Sequence, residues 1–190
     1  MPQYNVENIL VGVAWLYFAP GNTPYVEDAV GFGEIDTVDP WKYIGATEEG
    51  VTQGSERELN RHMIEEQSSP AFITVSSTTV SVSTSLAEYT LENMKLSYGG
   101  GTITETAAAA GTPGKSRLNL SDELDELAII LEGKNPEGFY RRYYIPRALS
   151  VASVETAHRR SESKKLLPVT FESISDIKEV FVDDMTAAAL

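Results

Sequence analysis

The chain has 190 residues, no cysteine, and 28 acidic against 15 basic side chains for a formal charge of −13. That length suits one domain with a substantial core, and the lack of thiols excludes disulfide frameworks, zinc–thiolate and iron–sulfur sites and a cysteine nucleophile. The acidity removes any general attraction to nucleic-acid phosphates or anionic lipids, and a thiol-free chain is in keeping with folding in a reducing cytoplasm.

Residues 9–19 (ILVGVAWLYFA) form the longest apolar run. It is about half the ~20 residues that cross a bilayer, and Pro20-Gly21 closes it. The residues before it hold Glu7 and no Lys or Arg, so a signal peptide's basic start is missing. It reads as a buried strand in a soluble protein with no membrane contact. A turn cluster, Pro-Gly-Asn-Thr-Pro, fills 20–24. Residues 25–54 carry Gly31, Gly33, Pro40, Gly45, Gly50 and Gly54 without a sustained period. They read as a long loop with short strands, of the kind that is functional or ordered by a partner.

Residues 57–66 are a weak strand, with Leu59 and Met63 on one parity and Ile64 on the other. The run 72–84 (FITVSSTTVSVST) is rich in β-branched residues. Its apolar parity changes from Ile73 and Val75 to Val80 and Val82, which predicts a bulge or break near 76–79. A helix is expected over 86–98, with Ala87, Leu91, Met94 and Tyr98 on one face. Ser85 and Glu88 would form its capping box, and Gly99-Gly100-Gly101 would stop it.

Residues 102–106 read as a short strand and 107–115 as an Ala/Gly-rich loop. Asp122, Glu123, Asp125 and Glu126 lack calcium-loop spacing and read as a solvated turn. A strand over 126–132, a turn signal at 133–138 and a strand over 139–148 make a hairpin. Strands at 151–158, 166–173 and 174–182 follow, with Pro168 marking an edge or strand end, and 186–190 reads as a frayed end. The fold class is therefore mainly β: one domain over 1–190, antiparallel sheets in a sandwich or open barrel, and one flanking helix.

Catalytic chemistry is not visible. His62 and His158 belong to no ligand motif, and nucleophile-elbow, Walker and dinucleotide patterns are missing. No catalytic, cofactor-binding or metal site is expected. The charges, however, are segregated along the chain. Residues 1–66 hold twelve acidic and three basic side chains, whereas 141–165 hold seven basic and two acidic. Faces of opposite sign on one molecule suit head-to-tail contacts between copies, which close into rings or run on as filaments. Arg141, Arg142, Tyr143, Tyr144 and Arg147 form the candidate subunit interface, because interfaces favour Arg and Tyr. Stacking of single-stranded nucleic acid on the same residues and an ordinary solvated strand pair are the alternatives.

Three stretches together resemble the major tail tube proteins of long, flexible-tailed bacteriophages. They are 41–51 (WKYIGATEEGV), 84–93 (TSLAEYTLEN), and YIPRA at 144–148 with SVET at 153–156 and KLLPV at 165–169. The resemblance runs over roughly 40–173 and leaves the insert at 106–115 unassigned. It implies two packed antiparallel sheets with an outer helix, hexameric rings whose inner sheets merge, and rings stacked into a tube. It further implies self-association, tape-measure and tail terminator proteins as partners, assembly in the host cytoplasm, and a place in the virion tail. DNA would pass through the lumen without specific binding. Within the long loop, Trp41, Tyr43, Ile44, Glu48 and Glu49 would make inter-ring contacts. The alternatives are a tail terminator or head–tail joining protein, and a cellular β-sandwich that binds or hydrolyses a ligand.

Overall fold

The computed structural model describes residues 14–27, 29–66, 68–134, 139–155 and 165–185. In chain order these form β1 (Ala14–Pro20), β2 (Lys42–Tyr43), β3 (Thr47–His62), β4 (Phe72–Leu86), α1 (Leu91–Tyr98), β5 (Thr102–Thr106), β6 (Lys115–Asn119), β7 (Leu127–Lys134), β8 (Tyr140–Ser150), β9 (Leu167–Ser173) and β10 (Phe181–Asp184). Eight strands make one antiparallel sheet ordered β2-β1-β7-β8-β9-β4-β3, with β10 also on β8; β5 and β6 make a second. Among the described residues the protein is mainly β, with two antiparallel sheets and one helix. Strands β10 and β9 follow one another along a single edge of β8, at 141–144 and 148–150, while β7 holds the other edge.

Both faces of the large sheet are covered around β1, β7 and β8. On one face, Leu16, Ile129, Leu131 and Ile145 pack with Val80, Val82, Leu86, Val169 and Phe171, and Leu96 of α1 joins them. On the other, Tyr17, Ala19, Ala128, Ile130 and Tyr144 lie under Val26, Ile35 and Trp41. Strands with two buried faces read as continuous apolar runs rather than alternations. That accounts for the run at 14–19; residues 9–13 of the expected strand lie outside the described residues, as do His158 and 186–190.

Several expectations need correction. The segment 25–54 is a loop only to residue 46, and 47–54 belongs to β3. Glycine hides this strand: Gly50 sits at φ 79 in a bulge, with residues 49–50 extra between the pairs Glu48↔Ser85 and Val51↔Thr84. The Thr84 hydroxyl donates to the Gly50 carbonyl at 2.7 Å and holds the bulge.

The helix begins at Leu91, not 86, because Leu86 is fully buried in the ladder between Thr47 and Leu167. No Ser85–Glu88 capping box forms; Glu88 instead accepts from the Ala46 amide, and Thr90 caps the helix by accepting from the Asn93 amide. The buried side chains are Asn93, Leu96 and Ser97 rather than the expected stripe. The stop is as expected: Gly99 takes φ 83, with Gly99 N donating to Leu96 O and Gly100 N to Lys95 O, the paired bonds of a Schellman ending.

Residues 151–155 are not strand, and 174–180 is a turn with a short 3₁₀ helix at Ile177–Glu179 before β10. Strand β6 was not anticipated, since KSRLN has polar residues on both parities.

Candidate assembly surface

The longest pairing in the molecule joins β3 to β4, from Thr47↔Leu86 out to His62↔Phe72. Strand β9 supports β4 only over Ser81–Leu86. From Glu56 and Thr79 outward the two strands therefore continue as a free two-stranded arm, about 20–25 Å long at 3.3 Å per residue. An isolated hairpin of this kind is marginally stable in water. The outer edge of β3 has no partner strand among the described residues, and an open edge of such length invites pairing with another chain.

The arm is amphipathic, and the register shows how. Val80, Val82 and Leu86 point into the core. Glu58 pairs with Ser77 and Leu59 with Val75, so Ser76 is the extra residue of a bulge, within the expected 76–79 window. The Ser76 hydroxyl donates to the Glu58 carbonyl at 3.0 Å. This single inserted residue moves Val75 and Ile73 back onto the side occupied by Val80 and Val82. Leu59, between Arg57 and Arg61 on β3, shares that side by strand alternation. The core face thus runs on past the globular body with nothing over it among the described residues: Leu59, Ile73 and Val75 are 42%, 54% and 56% exposed. At the tip, His62 stacks on Phe72 with ring centroids 4.3 Å apart, beside exposed Met63 and Ile64.

The basic hairpin is used differently from its sequence pattern. Arg142 is completely buried and its Nε donates to Glu132, equally buried, at 2.8 Å. Arg142 Nη2 donates to the Val30 carbonyl at 2.6 Å, and the other Glu132 oxygen accepts from the Gly33 amide at 2.8 Å. The pair fastens the loop 21–41 to the sheet. Tyr144 is interior too, its hydroxyl donating to the Thr23 carbonyl at 2.7 Å. Tyr143 packs partly into the main core. Arg141 pairs with Asp184 at 2.6 Å, and that hydrogen bond raises its pKa. Arg147 makes a two-pronged contact with Glu126 at 2.9 and 2.8 Å, which lowers the Glu126 pKa. Of the five candidate interface residues, Arg141, Tyr143 and Arg147 reach the surface at least in part.

The loop residues divide in the same way. Trp41 and Ile44 are core. Tyr43 is exposed, resting on Tyr17 and Trp15 at 5.7 and 5.8 Å between centroids. Glu48 and Glu49 lie on β3 rather than in the loop; the Glu49 side chain lies outside the described residues. Arg159, Arg160 and Lys164 are outside them as well. No group of three metal-binding side chains occurs among the described residues, and no described helix is long and apolar enough to cross a membrane. The arm was missed as a site in the sequence, although the parity change at 76–79 was its visible sign.

A family model described as phage tail tube protein matches residues 1–182. No curated protein matches the chain. Among solved structures, a chain of the anti-feeding prophage baseplate, determined by cryo-EM with 6-fold symmetry imposed, aligns at 10% identity and a TM-score of 0.41, covering 98% of this chain and 96% of that one.

Proposed function

We propose, for a chain that belongs to the phage tail tube protein family, that copies join through the β3–β4 arm into rings and that the rings stack into the conduit for DNA. A structural role in the virion tail follows from the family; the ring, the stack and the conduit are the proposal. The observation that carries it is the apolar face of the arm. Leu59, Ile73 and Val75 extend the core face of the sheet into solvent, and fully burying an aliphatic side chain is worth about 1.5–3 kcal/mol. From Glu56 to His62 the outer edge of β3, which has no partner strand among the described residues, offers its backbone groups along the same line. Both are satisfied if a second copy lays a strand and an apolar surface against the arm.

In this reading the partly exposed members of the basic hairpin, Arg141, Tyr143 and Arg147, lie at subunit contacts, and Tyr43 and Glu48 contribute between rings. Tape-measure and terminator proteins meet the finished tube, and assembly takes place in the host cytoplasm. Negative-stain electron microscopy of the purified chain, alone and with tail partners, tests the proposal. Rings or tubes are expected; a chain that stays monomeric under every assembly condition overturns it. Copy number in the particle separates a tube subunit, present many times, from a terminator present as one ring.

A further inference from the structure

The flank that carries α1 holds a groove of about 530 Å³, bounded by the end of β1, the residues before β2, α1, the start of β5 and the residues leading into β7. Its walls are apolar at Phe18, Pro40, Leu96, Ile103 and Leu127. Exposed Leu124 sits at the lip, where a Cβ on Gly99 would meet its Cδ2 at 2.6 Å. The turn 121–124 borders the same lip, with the Glu123 carbonyl against Gly100. Acid outweighs base around this opening. Lys42 is held by Glu92 at 3.4 Å and Lys95 by Asp125 at 2.8 Å, while Glu126 holds Arg147. Asp39, Asp122 and Glu123 have no ion pair among the described residues.

The β3–β4 arm presents the complement. Leu59, Ile73 and Val75 lie open on it. Arg57 and Arg61 stand on either side of Leu59, both exposed and without an ion pair among the described residues. Resting on the tube reading, we propose that the groove beside α1 is the receptor for the arm of a second copy. Leu59, Ile73 and Val75 seat against Leu96, Ile103 and Leu127, and Arg57 and Arg61 meet Asp39, Asp122 and Glu123. A single molecule cannot make this contact with itself. β3 starts at Thr47, soon after Lys42 of the groove, and its continuous pairing with β4 carries Leu59 roughly 40 Å along the strand at 3.3 Å per residue. Each copy therefore offers an arm and a groove on separate surfaces, which is a head-to-tail contact. Apolar burial supplies its strength, and the surrounding charges supply register and speed of encounter.

The chain has no cysteine, so two single-cysteine variants, Val75→Cys and Ile103→Cys, can be mixed, assembled and oxidised. Disulfide geometry is narrow, so the mixture should yield about tenfold more cross-linked dimer than either variant alone. Val75→Cys mixed with Val182→Cys, a comparably exposed position on β10, should not. Leu59→Cys replaces Val75→Cys if that variant fails to assemble. Tubes that form without the Ile103 cross-link, or that cross-link to Val182→Cys instead, overturn the assignment and leave the tube reading intact. Wild-type protein that never forms tubes overturns both. In a second arm, Arg57→Glu/Arg61→Glu should abolish tubes while the monomer keeps its melting midpoint. Adding Asp122→Lys/Glu123→Lys to that chain should restore them. A folded fourfold variant that stays monomeric would also overturn the assignment.

Discussion

Leu59 and Val75 stand directly across the β3–β4 ladder at the step where Ser76 is left without a partner, and both remain about half exposed. One added residue thus decides which side of the arm is apolar. Leu59→Asp or Val75→Asp should abolish assembly, because each would require a neighbouring copy to bury an unpaired carboxylate. The monomer should keep its melting midpoint within a few degrees, since neither residue contributes to the body's core. Size-exclusion chromatography and thermal denaturation read the two effects separately. Deleting Ser76 should likewise abolish assembly, by turning Val75 and Ile73 to the polar side.

Arg142 and Glu132 predict the reverse pattern. Arg142→Leu or Glu132→Gln leaves one member of a fully buried pair without its counterpart, which costs about 3–5 kcal/mol. The loss should appear in urea denaturation of the monomer, together with increased proteolysis of the loop 21–41. Arg141→Ala breaks the partly exposed contact with Asp184 and should cost at most about 1 kcal/mol. Equal losses in the two variants would refute the description of Arg142 as an internal fastener.

Gly99 ends α1 in the left-handed region at φ 83, and a Cβ there would meet Leu124 Cδ2 at 2.6 Å and the Ser150 carbonyl at 3.1 Å. Gly99→Ala should therefore destabilise the fold by about 1–2 kcal/mol. A change of less than a few tenths would mean the helix end relaxes freely.

Alkaline pH should weaken the protein through two tyrosines. Burial raises the Tyr17 hydroxyl pKa, helped by the Glu132 charge, and burial raises that of Tyr25, helped by Asp183. Both phenols stay protonated in the fold at pH values where the unfolded chain would release them. Their contribution is full below the ordinary value of 10.0 and is lost as pH rises above it. Denaturation midpoints paired with tyrosinate absorbance should show stability dropping from about pH 10 upward. Tyrosinate forming in step with exposed phenols, without unfolding, would contradict this.

The sequence was most legible where local chemistry dominates. β-branched runs gave β4, the parity change located its bulge, and glycine marked the end of α1. It misled where tertiary context overrode a local signal. Ser85 and Glu88 have the spacing of a helix cap, yet Leu86 is held in the ladder and Glu88 reaches back to the Ala46 amide. Arg142 reads as a surface charge because its counterion enters through the β7–β8 register, Glu132↔Arg142, which depends on turn geometry. Val26, Ile35 and Trp41 cover the sheet from a segment without periodicity, so no pattern announced them as core. The polar face of β3 and β4 was written in alternating Ser, Thr and Glu, but its side was defined only once the register was known.

The claim on which the account rests is that the outer half of β3–β4 is completed by another copy. Hydrogen–deuterium exchange read by mass spectrometry, on monomer and on assembled tails, tests it most directly. Peptides spanning 56–62 and 72–79 should exchange quickly in the monomer and become strongly protected on assembly, while the body around β7 and β8 changes little. Arm peptides that exchange as fast in the tail as in the monomer would contradict it.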